Sequence, residues 1–172
     1  MICGKALDYL LDLEGFDADH PADRGGRTRW GVTQKSYDRY RKSKGKEPRS
    51  VEFITPDELS EFYRDEYWLP AGYGLVNPLD FCVFQFGVLA GPARSVKLLQ
   101  AVLGVKADGI CGPATKYSAE QANKRCVVDE HIAGQRAHVD RIVERDGSQK
   151  AFIKGWHNRF DKVHRICLEE RR

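Results

Sequence analysis

Glu14-Gly15-Phe16-Asp17-Ala18-Asp19-His20-Pro21-Ala22-Asp23-Arg24-Gly25-Gly26-Arg27-Thr28-Arg29-Trp30-Gly31-Val32-Thr33 is the stretch on which the fold turns. Upstream of it Cys3, Leu7 and Leu10 recur at helical spacing, and the next position on that stripe is Glu14. A helix ending at Glu14 is therefore predicted, with Gly15 suited to the left-handed position that closes it. A carboxylate there lies at the negative end of the helix dipole and partly out of water. Both conditions disfavour its charged form and raise its pKa, as a general acid requires. A solvated Glu at a frayed helix end is the other reading of the same position.

Downstream, Asp17, Asp19 and Asp23 precede a turn predicted at Gly25-Gly26. Thr28, Trp30 and Val32 then alternate with Arg27, Arg29 and Gly31, as a short strand does. A helix, a terminal carboxylate, an Asp-rich loop and a small hairpin make the layout of a lysozyme active site, in which an acid on a helix faces a polar group on a small sheet.

The stretch resembles the signature of glycoside hydrolase family 108, the phage-type N-acetylmuramidases, through Glu14, Gly15, Asp23, Gly25, Gly26, Thr28, Gly31 and Thr33. Phe16 stands where that family usually has Gly, and Arg24 where it has Pro. The resemblance implies a mainly α, lysozyme-like helical fold with a small β-hairpin near the active site. It implies hydrolysis of the β-1,4 bonds between N-acetylmuramic acid and N-acetylglucosamine in peptidoglycan. Glu14 is then the general acid, and Asp23 and Thr28 are the candidates for stabilising the oxocarbenium-like centre or placing water. Asp17 and Asp19 compete with Asp23, which is favoured because a turn holds it. The spacing of Glu14 and Asp23 is also similar to phage-type lysozymes whose carboxylate pair is followed by Thr, although Thr28 comes one residue early. Retention or inversion of the anomeric centre stays open. Substrate-binding candidates are Asp19, Trp30, Tyr73 and Asp108.

Further along, Thr33 is placed to cap a helix through about Lys44, with Tyr37 and Tyr40 on one side and Arg39, Arg41, Lys42, Lys44 and Lys46 on the other. That basic face reads either as a solvated surface or as a lip for polyanions. Thr55-Pro56-Asp57-Glu58 is a capping-box start for a helix ending near Trp68. A loop over Leu69–Val76 follows, carrying Tyr73. Asn77-Pro78 opens a helix that is apolar all round from Phe81 to Leu89 apart from Gln85, and Gly91-Pro92 stops it. Val96, Leu99 and Val102 mark the next helix.

Leu99-Gln100 and Asp108-Gly109-Ile110-Cys111-Gly112-Pro113-Ala114-Thr115 resemble the peptidoglycan-binding segment of the same family. Gln85-Phe86-Gly87 stands where that segment carries an Asn. The glycines and Pro113 account equally well for a turn and a helix start. A continuous helical pattern extends from Pro113 to Arg145, and Gly147 breaks it. A last helix carries Phe152, Trp156, Val163 and Cys167, where Gly155 is expected to allow a close helix approach and Trp156 to fill core.

The chain has 172 residues, 41% hydrophobic and 31% charged, with a net charge of +3. This composition is expected of an ordinary soluble globular protein, and no membrane span is visible in the sequence. The division expected is a catalytic segment over 1–76 and a peptidoglycan-binding segment over 77–172, packed as one unit. Five cysteines without C-x-x-C spacing read as buried thiols. The histidines form no metal pattern, and no cofactor is implied. Asp8 and Asp12 interrupt any signal-peptide core, so synthesis in the cytoplasm is expected, with action on the cell wall after release or export. Lysis would need a holin-type membrane partner by analogy with phage lysis enzymes. A monomer with no stable membrane insertion is expected. Two other classes fit parts of the chain: a non-catalytic peptidoglycan-binding module, and a nucleic-acid binder using the Arg39–Lys46 run. The latter lacks a fold signature.

Overall fold

The apolar stripe before Glu14 forms helix α1, Ile2–Glu14, which buries Ala6, Leu7 and Leu10. The computed structural model describes residues 2–14 and 28–169. The predicted Gly15 cap, the Asp17–Asp23 loop and the Gly25-Gly26 turn lie outside them. The chain divides into two compact units, Met1–Glu66 and Tyr67–Arg172. The described residues are mainly helical with a small antiparallel hairpin, the fold class expected.

In the first unit, β1 (Thr28–Arg29) pairs with β2 (Val32–Thr33) in the register Thr28↔Thr33 and Arg29↔Val32. The single strand expected over this stretch is thus two strands, because the chain reverses at Trp30-Gly31. Both residues take positive φ, 49° and 76°, as a two-residue hairpin turn of right-handed twist demands. Gly31 accepts that conformation without cost, whereas Trp30 needs holding. The Tyr63 hydroxyl donates to the Trp30 carbonyl at 2.8 Å, and the Arg29 guanidinium lies 4.5 Å from the centre of the Trp30 indole.

Helix α2 (Gln34–Ser43) starts as expected, with the Thr33 hydroxyl accepting from the Ser36 N–H. Helix α3 (Pro56–Tyr63) begins on Thr55, which accepts from the Glu58 N–H, and buries Leu59, Phe62 and Tyr63. α3 packs against α1. Beyond it, Arg64–Gly72 winds as a π-helix where a loop from Leu69 was expected. Tyr73 N–H reaches back five residues to the Trp68 carbonyl at 2.8 Å, and Pro70 inside the segment offers no N–H of its own.

The second unit is built on α4 (Leu79–Ala90), whose residues from Leu79 to Gly87 are all buried. It contacts α5 (Pro92–Val102), α7 (Lys124–Arg145) and α8 (Ile153–Glu169), and Trp68 packs edge-on against Phe84 at 5.3 Å. The long helical pattern after Pro113 is two helices, α6 (Pro113–Gln121) and α7. Asn123 separates them by accepting the N–H groups of Arg125 and Cys126, an N-cap that overrides the helical periodicity around it. In α8 Gly155 faces open space and Trp156 is half-buried against Phe152, so neither has the expected packing role. Phe160 fills that core instead. The glycine that permits close helix approach is Gly134 on α7, where a Cβ would lie 2.5 Å from Leu98 Cδ1 of α5.

Candidate active site and wall-binding segment

Glu14 is the last residue of α1, where the four final carbonyls of a helix lack intrahelical partners and the dipole is negative. Asp19 and Asp23, with their rival Asp17, lie outside the described residues. Thr28 opens β1 and is half-buried. The hairpin that carries it is fixed at several points. Arg29 donates to the Glu52 carbonyl, Thr33 caps α2, and Tyr63 of α3 holds the turn. Since α3 also packs on α1, one helix supports both the hairpin and the helix that ends in Glu14. Trp30 is half-buried and already carries a guanidinium on its ring, which limits it to a single free face for stacking.

Behind this scaffold lies a charged cluster that sequence reasoning did not find. Glu58 accepts from the Tyr37 hydroxyl at 2.9 Å and from Arg41 at 2.7 Å, and is also bonded by Arg49. Burial alone would raise the Glu58 carboxyl. The Tyr37 bond, the Arg49 and Arg41 charges and the Thr55 backbone N–H outweigh it and hold the group below the usual carboxylate range. Most of the basic residues along and just after α2 are likewise paired. Arg39 pairs with Glu66 at 2.8 Å, Lys44 with Asp65 at 2.7 Å, and Lys46 with Glu58 at 3.8 Å. Burial, then the carboxylates of Asp65 and Glu61, push the Tyr40 hydroxyl up to about 12. Four of the five cations in that run, Arg39, Arg41, Lys44 and Lys46, are thus engaged with carboxylates.

In the second unit, Gln100 clamps the Asp108–Thr115 segment. Its amide donates to Asp108 Oδ1 at 2.8 Å, to the Ile110 carbonyl at 3.0 Å and to Thr115 Oγ1 at 3.0 Å, while its oxygen accepts the Gly109 N–H at 2.8 Å. Asp108 also accepts the Ile110 N–H, and that bond, with the Gln100 amide, keeps its carboxyl below the ordinary range. Asp108 thus serves the turn with the oxygen nearest Gln100. Tyr73 is exposed, with Lys116 Nζ 5.4 Å from its ring centre. Among the described residues no three His, Cys, Asp or Glu side chains are grouped to hold a metal ion.

A family described as "Glycosyl hydrolase 108" matches residues 7–91, which contain Glu14, Asp23, Thr28 and the hairpin. The structure of Brucella abortus SagA is 30% identical, with a TM-score of 0.83 over 98% of this chain and 94% of that one. The chain belongs to glycosyl hydrolase family 108. A second family, described as "Predicted Peptidoglycan domain", matches residues 94–161 of this family 108 chain, which include the Gln100 clamp. No curated protein matches it. As a family 108 member with a peptidoglycan domain following in order, it is a glycoside hydrolase acting on peptidoglycan, and its place of action is the cell wall. Among the described residues no helix is long and apolar enough to cross a membrane.

Proposed function

We propose that the chain is an N-acetylmuramidase in which Glu14 protonates the leaving oxygen of the β-1,4 bond between N-acetylmuramic acid and N-acetylglucosamine. The observation that carries this reading is the position of Glu14 as the final residue of α1, at the negative pole of a helix whose Leu7 and Leu10 are buried. A negative helix pole disfavours the charged form of a carboxylate, the direction a general acid requires. Asp23 is the partner carboxylate and Thr28, on the braced hairpin, orients the water or the sugar. Asp19 and Trp30 in the first unit, and Tyr73 and Asp108 in the second, contact the glycan. Residues 1–76 supply the chemistry and 77–172 the wall attachment. The lytic setting, with a holin-type partner giving access to the wall, belongs to the same reading.

Glu14→Gln keeps size and hydrogen bonding and removes the proton. Turnover on purified walls should fall by roughly 10²–10⁴-fold while the melting temperature is kept. Mass analysis of the digest should place the new reducing ends on muramic acid. Clearing at the parent rate by Glu14→Gln, or reducing ends on glucosamine, defeats the proposal.

A further inference from the structure

In the second unit a cavity of about 270 Å³ opens between α5 and α7, with Phe86 of α4 and Gly134 of α7 among its lining residues. Arg94 and Lys97 of α5 and His138 and Arg141 of α7 also line it, and no acidic side chain does. Arg39 and Arg41 of α2 are paired with carboxylates, but among the described residues Arg94, Lys97 and Arg141 form no ion pair. The Arg94 guanidinium is braced by donating to the Ala90 carbonyl at 2.8 Å. His138 stands edge-on to the buried Phe86 ring at 5.6 Å. Its imidazole is pushed down by burial first, then by Arg94, Arg141 and Arg145. Positive charge is gathered here around a concave space, with no carboxylate among the described residues that line it.

We propose that this cavity is a carboxylate-binding site for the peptide stems of peptidoglycan, so that the second unit holds the acid groups of the wall in addition to its sugars. The proposal rests on the wall-directed reading above, and three features choose the ligand. Guanidinium and ammonium groups only donate, so they call for charged acceptors and leave sugar hydroxyl donors unmet. The aromatic ring is buried and edge-on to His138, which leaves no exposed platform for a pyranose face. The volume lies just under the roughly 300–1,000 Å³ of drug-sized ligand sites and suits one or two amino-acid residues. Stem peptides carry free α-carboxylates at that scale, and bidentate pairing with Arg94 and Arg141 suits them.

The test uses the full chain and sacculi stripped of phosphate polymers, either intact or after an amidase has removed the stems. The parent should sediment with intact sacculi and bind the stem-free glycan at least tenfold more weakly. Arg94→Gln with Arg141→Gln should lose about 10–100-fold on intact sacculi, the size of one or two charged hydrogen bonds, and nothing further on stem-free glycan. As an independent readout, an N-acetylated alanyl-γ-glutamate dipeptide should raise the His138 pKa seen by NMR, whereas its diamide should not. The groups facing that imidazole are Arg94 and Lys97 from α5 and Arg141 and Arg145 from α7; Phe86 from α4 does not ionise. Equal binding of intact and stem-free walls by the parent, unchanged binding by the double variant, or an unmoved His138 each overturns the proposal. If the parent still cleaves wall glycan in those cases, only the cavity assignment falls. If it neither binds nor cleaves, the wall-directed reading falls with it.

Discussion

The two units satisfy their polar groups in opposite ways. In the first, Glu58 is a charged centre held by Tyr37, Arg41 and Arg49, with side-chain exposures of 14% for Glu58 and 12% for Arg41. In the second, Gln85, His131 and Gln135 are 0% exposed and form a neutral chain. Gln85 Nε2 donates to Gln135 Oε1 at 2.8 Å, Gln135 Nε2 donates to His131 Nδ1 at 2.8 Å, and His131 Nε2 donates to the Ser95 carbonyl at 3.2 Å. A carbonyl can only accept, so the proton sits on Nε2 and Nδ1 is free to accept. The Arg159 guanidinium meets this chain at Gln85 Oε1, 3.4 Å away at the edge of the core. Charge is tolerated where water still reaches it, and deep in the core neutral amides avoid the cost of burying an ion. The first arrangement must respond to pH and salt. The second holds no carboxylate, and should fail steeply when one link is cut.

Cutting that link is the largest effect expected on stability. Gln135→Leu fills similar volume but leaves His131 Nδ1 without its donor and Gln85 Nε2 without its best acceptor. At about 1–3 kcal/mol for each orphaned buried group, the loss is ~2–6 kcal/mol. Urea unfolding at low and high salt measures it, and the loss should be equal in both. A strongly salt-dependent loss would show that the network is charged, and the contrast between the units would not hold.

Glu58→Gln should cost less, about 1–2 kcal/mol at neutral pH, because its cations sit near water and retain some hydration. Its pH dependence carries the sharper test. The folded pKa of Glu58 is lowered, so its contribution is fully present above the pKa of an unfolded carboxyl and is lost as pH falls through the folded value. Asp65 works in the same direction. The hydrogen bond from Arg64 lowers its pKa first, burial opposes that, and Lys44 adds to the lowering. Parent and Glu58→Gln should therefore converge in stability as the solution is acidified below about pH 4.5, the ordinary carboxyl range. Parallel curves down to pH 3 would remove Glu58 as the source.

These two networks also show how much could be read from the chain. α1, the Thr33 cap and the Thr55–Glu58 capping box were legible because each is written within one turn of helix. The Glu58 cluster was not, since Arg41 and Arg49 lie 17 and 9 residues away and nothing local marks them as partners. Gln85 looked like a polar intruder on an apolar helix, and the residue that explains it is 50 positions later. The turn at Trp30-Gly31 was hidden by strand alternation running through it, and one of the groups that hold it, Tyr63, comes 33 residues later. Trp30 with a positive φ was not readable from periodicity. The cationic cavity was missed for the same reason as the clusters: Arg94 and Lys97 come from one helix, and His138 and Arg141 from another. Of the proposed catalytic groups, Glu14 was singled out by its place at the end of an apolar helical stripe, a local feature, whereas Thr28 was singled out through the family resemblance.

The smallest effect concerns the thiols. The described cysteines are all free: Cys82 and Cys167 buried, Cys111 half-buried, Cys126 exposed. Cys82 lies against the neutral chain, 3.6 Å from His131 Nδ1, and Cys167 Sγ approaches the Pro78 carbonyl, which also accepts the Cys82 N–H. The bond from Cys167 draws the Cys82 thiol down against the effect of burial, and contacts with His131 and Gln135 add to it. A lowered pKa favours reaction, but a sulfur with no exposed surface cannot be reached by a reagent. Access should therefore decide the order of labelling. Cys126 should react with a thiol reagent at once. Cys111, whose pKa burial raises, should react more slowly, and Cys82 and Cys167 only at the rate of global unfolding. Reductant should leave the melting temperature where it is, and Cys126→Ser should change stability by no more than about 0.5 kcal/mol, as surface substitutions do. Labelling of Cys82 as fast as Cys126 in the folded protein would mean that the core around His131 opens readily. The neutral network would then be a loose, breathing assembly, and the steep cost expected for Gln135→Leu should shrink with it.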